Sequence, residues 1–202
     1  MKITIETPEV LVLKYQQEKT DEDYGSCLWA RFYLDLRNYT MSIESDCGNY
    51  VHGWTPTPDH ESFLKLLARM DGDYLLYKIS NQTVIDGDET CKQVMEMIKD
   101  IAESDLVELD DFTLEEIKSA CYHHNDEREL VEAVLDAAIP SAVYKELERN
   151  TYELYGCVVK DYPTNAKKIV SVFISCIKPM IKEIIEGTVT MLSIVSSDKE
   201  EE

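Results

Sequence analysis

The hydrophobic period of this chain changes once, from two to about 3.6, just after Trp54, and that change limits the folds open to it. Before it, Leu28, Ala30, Phe32, Leu34 and Leu36 alternate with Trp29, Arg31, Tyr33 and Asp35, so one apolar row faces a core and a mixed row faces away. A reversal near Arg37 and Asn38 leads to Tyr39, Met41 and Ile43, alternating with Thr40, Ser42 and Glu44. Ser45-Asp46-Cys47-Gly48-Asn49 is turn chemistry, which makes Tyr50 to Trp54 a third strand. Val10 to Leu13, with Ile3 and Ile5 before it, predicts an edge strand or hairpin, and Gln16 to Gly25 a polar loop.

After Trp54 the pattern is helical. Thr57-Pro58 fits an N-cap and first helical position ahead of Phe63, Leu64, Leu67 and Met70, with a stop at Gly72. Asp73 then caps a short helix through Tyr74, Leu75, Leu76 and Ile79, and Asp86-Gly87 reads as a turn before the stripe Cys91, Val94, Met95, Ile98 and Ile101. Thr113 with Glu116, and Asp126 with Glu129, have capping-box spacing ahead of two further helices, the second ended by Pro140. A helix over 141–150 and a long one over 164–186, bent at Pro179, complete the expectation. Strands first and helices after, without βαβ alternation, make an α+β fold: an N-terminal antiparallel β-meander packed against helices, followed by a helical C-terminal part. Charge density peaks at 104–112, which divides the chain into residues 1–104, a helical region 105–195 and an acidic tail 196–202 expected to be disordered, unless the whole is one continuous domain.

Charge carries the best functional signal. The chain has a net charge of −20, and 14 of its 40 acidic residues fall between Glu96 and Asp136, where only Lys99, Lys118 and Arg128 oppose them. A field of one sign repels nucleic acid and acidic membranes and attracts a cation or a basic protein surface. Carboxylates at helical spacing sit roughly 5–6 Å apart, near the roughly 7 Å between phosphates along a DNA strand. Glu103, Asp105, Glu108, Asp110, Asp111, Glu115 and Glu116 are therefore the candidate partner-binding residues, and the expected partner is a basic nucleic-acid-binding protein rather than nucleic acid or a membrane. The plainer alternative is a solvated face that keeps a small protein soluble.

Other chemistry is incomplete. Cys121-Tyr122-His123-His124 is the densest group of potential metal ligands, but on a helix Cys121 and His124 share a face while His123 points about 100° away. A metal-dependent enzyme built on Cys121, His123 or His124 is the alternative function, set against a buried cysteine with two half-exposed histidines near a helix end. Asp46, Cys47 and His52 flank one turn, the minimum kit for a nucleophilic cysteine, but the turn itself explains Asp46, Gly48 and Asn49. Asp86, Asp88 and Glu89 lack calcium-loop spacing. With only seven glycines and neither GxxxxGK[ST] nor GxGxxG, no cofactor is assigned, and no catalytic residue or metal ligand either. Trp29, Tyr33, Tyr39, Tyr50 and Trp54 have too few cations beside them for a base-stacking platform. No basic-then-apolar leader is read at the amino terminus, the apolar run Ile169 to Ile177 falls short of the roughly 20 residues of a membrane span, and no CxxC occurs among the six cysteines. These features predict a cytoplasmic protein with reduced thiols.

The segment Ile43-Glu44-Ser45-Asp46-Cys47-Gly48-Asn49-Tyr50 through Trp54, then Phe63-Leu64 and Asp73-Tyr74-Leu75 to Lys78, resembles small prophage and mobile-element proteins with an S-D-x-G-N-Y...W...F-L...D-Y-L-x-x-K pattern. The likeness implies a fold and a phage origin, hence the cytoplasm of a host cell, and brings no catalytic residues. In size and acidity the chain is also similar to anti-CRISPR proteins and other phage inhibitors, some of which imitate DNA, and that likeness implies a CRISPR effector as partner.

Overall fold

The computed structural model describes residues 9–56, 62–137 and 139–188. Along the chain run β1 (Val10–Gln16), β2 (Trp29–Asp35), β3 (Thr40–Ser45), β4 (Tyr50–Gly53), α1 (Phe63–Arg69), α2 (Gly72–Ile79), β5 (Val84–Ile85), α3 (Gly87–Ser104), α4 (Asp111–His123), α5 (Glu127–Asp136), α6 (Ser141–Arg149), α7 (Thr151–Gly156), β6 (Lys160–Asp161), α8 (Thr164–Val172), a π turn (Phe173–Ile177) and α9 (Lys178–Glu186). The α+β expectation holds, with the meander first and helices after it. The described residues form two compact units: those within 1–81 together with those after 162, and those within 82–162. Residues 104–112, where the charge peak suggested a boundary, span the end of α3, the connection 105–110 and the start of α4, inside the second unit.

In the first unit β1 to β4 form an antiparallel sheet in sequence order. Its register sets Leu13 against Phe32, Phe32 against Ile43 and Leu34 against Met41, and the period of two puts all five side chains in the core with Ala30. Leu28 and Leu36, at the ends of the expected apolar row, stay partly exposed. Helices from both sides of the second unit's sequence cover this row. Phe63 of α1 lies 5.3 Å from Tyr39 and 5.6 Å from Trp54, and Phe173 of the π turn lies 6.0 Å from Phe32. Lys178 of α9 donates from Nζ to the Met70 carbonyl at 2.7 Å, satisfying an orphan acceptor at the end of α1. On the opposite face Arg31 stacks over Trp29 and pairs with Glu44 at 3.5 Å, and the Tyr33 hydroxyl donates to the same carboxylate at 3.0 Å. The aromatic group seen in the sequence is thus shared between core and outer face and makes no single platform.

The second unit closes on itself. Val84 pairs with Asp161 and Ile85 with Lys160, and the Val159 N–H donates to the buried Thr90 hydroxyl at 3.0 Å. This two-residue ribbon, which has no hydrophobic period to betray it, brings the unit's two ends together. Between them α3 to α7 enclose Val94, Ile98, Ile117, Leu130, Val134, Leu147 and Leu154.

Helix starts follow carboxylates more often than the sequence suggested. Asp71, not Asp73, caps α2, accepting from Tyr74 N–H at 2.7 Å, and Gly72 begins that helix instead of ending the previous one. Asp86 caps α3, so Asp86-Gly87 is a helix start rather than a separate turn. Gly87 has no Cβ because the Tyr122 ring lies 3.0 Å from where one would be. Asp110 caps α4 by accepting from Thr113 N–H at 2.8 Å, which leaves Thr113 a buried first-turn residue and not the cap. Asp126 caps α5 as expected, accepting from Arg128 and Glu129. The long C-terminal helix is interrupted before Pro179 rather than bent at it: proline offers no N–H to the Ser175 carbonyl, and the backbone passes through the π turn just ahead of it. Helix α7 was not foreseen. The Thr57-Pro58 start, the Ile3–Ile5 strand and the 196–202 tail lie outside the described residues. No helix among the described residues is long and apolar enough to cross a membrane, and all six cysteines are free.

Phe173→Ala should lower stability by about 3–5 kcal/mol in urea unfolding, matching Phe32→Ala, whereas the exposed Phe112→Ala should cost less than about 0.5 kcal/mol. Residues 82–162 produced alone should give a helical circular dichroism spectrum and one cooperative thermal transition, since their core and their end-to-end ribbon are their own.

Candidate functional site: an acidic face on the second unit

The second unit holds 21 of the 40 acidic residues and 7 of the 20 basic ones, a net −14 on 81 residues. Much of this charge borders a groove of about 840 Å³ formed by α3 with α6 and α7. Glu89, Glu96, Asp100 and Asp105 line one side, Glu146 and Glu153 the other, over a floor of Met97 and Ile101, and no Lys, Arg or His is in the lining. Glu89 pairs with Lys92 at 3.5 Å and Glu146 with Arg149 at 3.3 Å, both exposed i,i+3 contacts of small energetic weight. Glu96, Asp100 and Asp105 make no ion pair among the described residues.

The groove opens at its α3 end onto the connection 105–110. Here α3 closes with a Schellman arrangement: Val107 N–H donates to the Ala102 carbonyl at 2.8 Å and Leu106 N–H to that of Glu103 at 3.2 Å. Leu106 occupies the left-handed position of this motif, at φ +54, where glycine is usual. Its side chain is 94% exposed, and Phe112, six residues on at the start of α4, is 63% exposed. Two large apolar side chains therefore stand in solvent among Glu103, Asp105, Glu108, Asp110 and Asp111, all of them exposed.

The seven carboxylates singled out in the sequence do not all share one environment. Asp105 alone lines the groove. Asp110 is committed to the α4 cap, and the Thr113 N–H and hydroxyl hold its carboxyl below the usual range. Glu115 pairs with Lys118 at 2.6 Å, Glu116 is half-buried, and Glu103, Glu108 and Asp111 face solvent. Glu146 and Glu153 were missed, because the groove draws them from helices some fifty residues further along the chain and no local pattern connects them to α3.

The other candidates separate. Cys121 is buried against Cys91 in the core, which pushes its thiol up to about 12, chiefly through loss of water. His123 is exposed, with Nδ1 2.8 Å from the Ser119 carbonyl, and His124 ends α4. Cys121, His123 and His124 do not bring their ligand atoms within 4.8 Å of one another. His52 stacks edge-on against Trp54 at 4.5 Å, and burial lowers its pKa; it is not among the groups that gather around Cys47.

Leu106→Gly should raise stability by up to about 1 kcal/mol, because the left-handed backbone costs a residue with a Cβ about that much and almost nothing packs on the leucine. A higher thermal midpoint by circular dichroism checks this, and an unchanged or lower one refutes the strain assignment.

No curated protein and no solved structure matches the chain. A model of a phage family, Phage_phiTE_072, matches residues 3–183, a span that includes the sheet, the acidic groove and the returning helices, and the chain belongs to that phage protein family.

Proposed function

We propose that this phage protein is a non-enzymatic inhibitor that binds a basic, nucleic-acid-binding host defence protein, such as a CRISPR nuclease, through the acidic face of its second unit, occupying a surface built for DNA. The observation that carries this reading is the pairing of charge with exposed apolar anchors: Leu106 and Phe112 project from among Glu103, Asp105, Glu108 and Asp111, beside a groove whose lining holds six carboxylates and no cation. A face that served solubility alone would need no leucine in a strained conformation at its centre. Protein interfaces combine a few buried apolar side chains with a charged rim that steers encounter, and that is the chemistry on offer here. Phosphate-like spacing of the carboxylates supplies the resemblance to DNA, while the apolar pair supplies what DNA lacks and makes the target a protein.

The test uses the variant Glu108→Gln, Asp110→Asn, Asp111→Asn. Asparagine also caps helices, so α4 keeps its start and the fold is retained. Binding to host protein captured on the immobilised chain should weaken with salt, since screening acts over about 8–10 Å at physiological ionic strength. The triple variant should associate on the order of tenfold more slowly at low salt, and duplex DNA should displace the captured protein. Equal binding by wild type and variant at low salt, or DNA bound alongside without interference, overturns the proposal.

A further inference from the structure

A second set of functional groups gathers in the first unit. Cys27 ends the loop that leads into β2, and Asp46 and Cys47 lie in the turn between β3 and β4; the two sulfurs and a carboxylate oxygen lie within 4.8 Å of one another. Cys27 is 0% and Cys47 4% exposed, while Asp46 reaches the surface, so the group is closed on its sulfur side and open to solvent on its carboxylate side.

Each side chain is held in place. The Ser45 hydroxyl accepts from Cys47 N–H at 3.2 Å and donates to the Gly48 carbonyl at 2.6 Å, and the Tyr50 hydroxyl donates to the Cys47 carbonyl at 2.9 Å. Gly48, at φ +111, turns the chain where a side chain would be strained. Asp46 is aimed by two backbone donors, Leu28 N–H at 2.9 Å on one oxygen and Trp29 N–H at 3.4 Å on the other, and the second oxygen lies 3.5 Å from the Cys27 sulfur. Besides satisfying these two backbone donors, the carboxylate is directed at the Cys27 sulfur.

We propose that Cys27, Cys47 and Asp46 bind a single zinc ion, with water in the fourth, solvent-side position. Zinc with thiolates at about 2.3 Å and a carboxylate at about 2.0 Å sets tetrahedral ligands roughly 3.5–3.8 Å apart, and the Cys27–Asp46 separation already has that value. Two thiolates select a soft or borderline ion over magnesium or calcium. The backbone donors on Asp46 are the outer partners that orient a ligating carboxylate. A cysteine must give up its thiol proton to ligate, so uptake of the ion releases protons and strengthens as pH rises. The bound ion ties the 17–28 loop to the β3–β4 turn, at the end of the sheet where β2 begins and β3 finishes.

The test is uptake of zinc by the reduced, full-length chain after chelation and dialysis, read by elemental mass spectrometry. One zinc per chain is expected, more firmly held at pH 8 than at pH 6, together with a higher thermal midpoint. Cobalt in its place should give sulfur-to-metal charge-transfer absorption and the intense visible bands of a tetrahedral site. Asp46→Asn should weaken binding at least tenfold, Cys27→Ser with Cys47→Ser should abolish it, and Cys91→Ser with Cys121→Ser, in the other unit, should leave it unchanged. If the Cys27, Cys47 double variant fails to fold, the Asp46 variant and the cobalt spectrum decide. No zinc in the folded reduced chain, zinc retained in the folded double variant, undiminished affinity in Asp46→Asn, or a cobalt spectrum without sulfur bands overturns the proposal.

Discussion

The structure depends on covering one row of side chains. Ala30, Phe32, Leu34, Met41 and Ile43 stand on a single face of a four-stranded sheet, and a sheet with one naked apolar face is not stable in water. The two short helices that follow the meander in sequence provide Phe63, Leu67, Leu75 and Leu76 but leave Phe32 to be met from elsewhere. Phe173 and Ile177 come from the other end of the chain to finish the cover, and the buried pair Phe32–Phe173 is separated by some 140 residues. Such a contact closes a very long loop, whose entropy cost falls when the intervening chain is already compact. The β5–β6 ribbon does this by joining the ends of the 82–162 segment within that segment. The discontinuous first unit and the self-closed second one are consequences of the same requirement.

This also explains what could be read in advance. The meander was legible because its burial repeats every two residues, and α3, α5 and α6 because Val94 and Ile98, Leu130 and Val134, and Val143 and Leu147 repeat every four. Helix starts were less so. At Asp110-Asp111-Phe112-Thr113 both an acid and a threonine offer a capping oxygen, and the carboxylate one turn earlier won, turning Thr113 inward. The Pro179 disturbance was readable as a site but not as a form, since only the backbone shows that a π turn absorbs the missing hydrogen bond. Long-range matters had no local trace: the return of Phe173 to the sheet, the pairing of Val84 with Asp161, and the arrival of Glu146 and Glu153 opposite Glu96 and Asp100.

The candidate sites divide along the same line. The excess of carboxylates between Glu96 and Asp136 is a property of composition and was plain in the sequence; its division into caps, ion pairs and unpaired groups was not. Asp110 and Asp126 serve helix starts, and Glu115 answers Lys118. Cys27 lies some twenty residues before Asp46 and Cys47, at the far end of an irregular loop, so only the fold shows that the three meet.

Acidity on this scale works against the unit that carries it. Helix caps and dipoles account for three of its aspartates, Asp86, Asp110 and Asp126, whose negative charge is favoured at a helix N-terminus. Glu96, Asp100 and Asp105 have no such return: they line one side of a groove opposite Glu146 and Glu153, and their mutual repulsion is relieved only by water and counterions. Leu106 adds a second cost of a different kind, a backbone strain with no packing gained in exchange. The two penalties are of different origin and lie in adjoining positions, between the end of the groove and the start of the α3–α4 connection. Under the binding role proposed above, a basic surface laid against this face would neutralise the carboxylates and take the leucine side chain out of water, so the partner would gain where the face has most charge and apolar surface to offer.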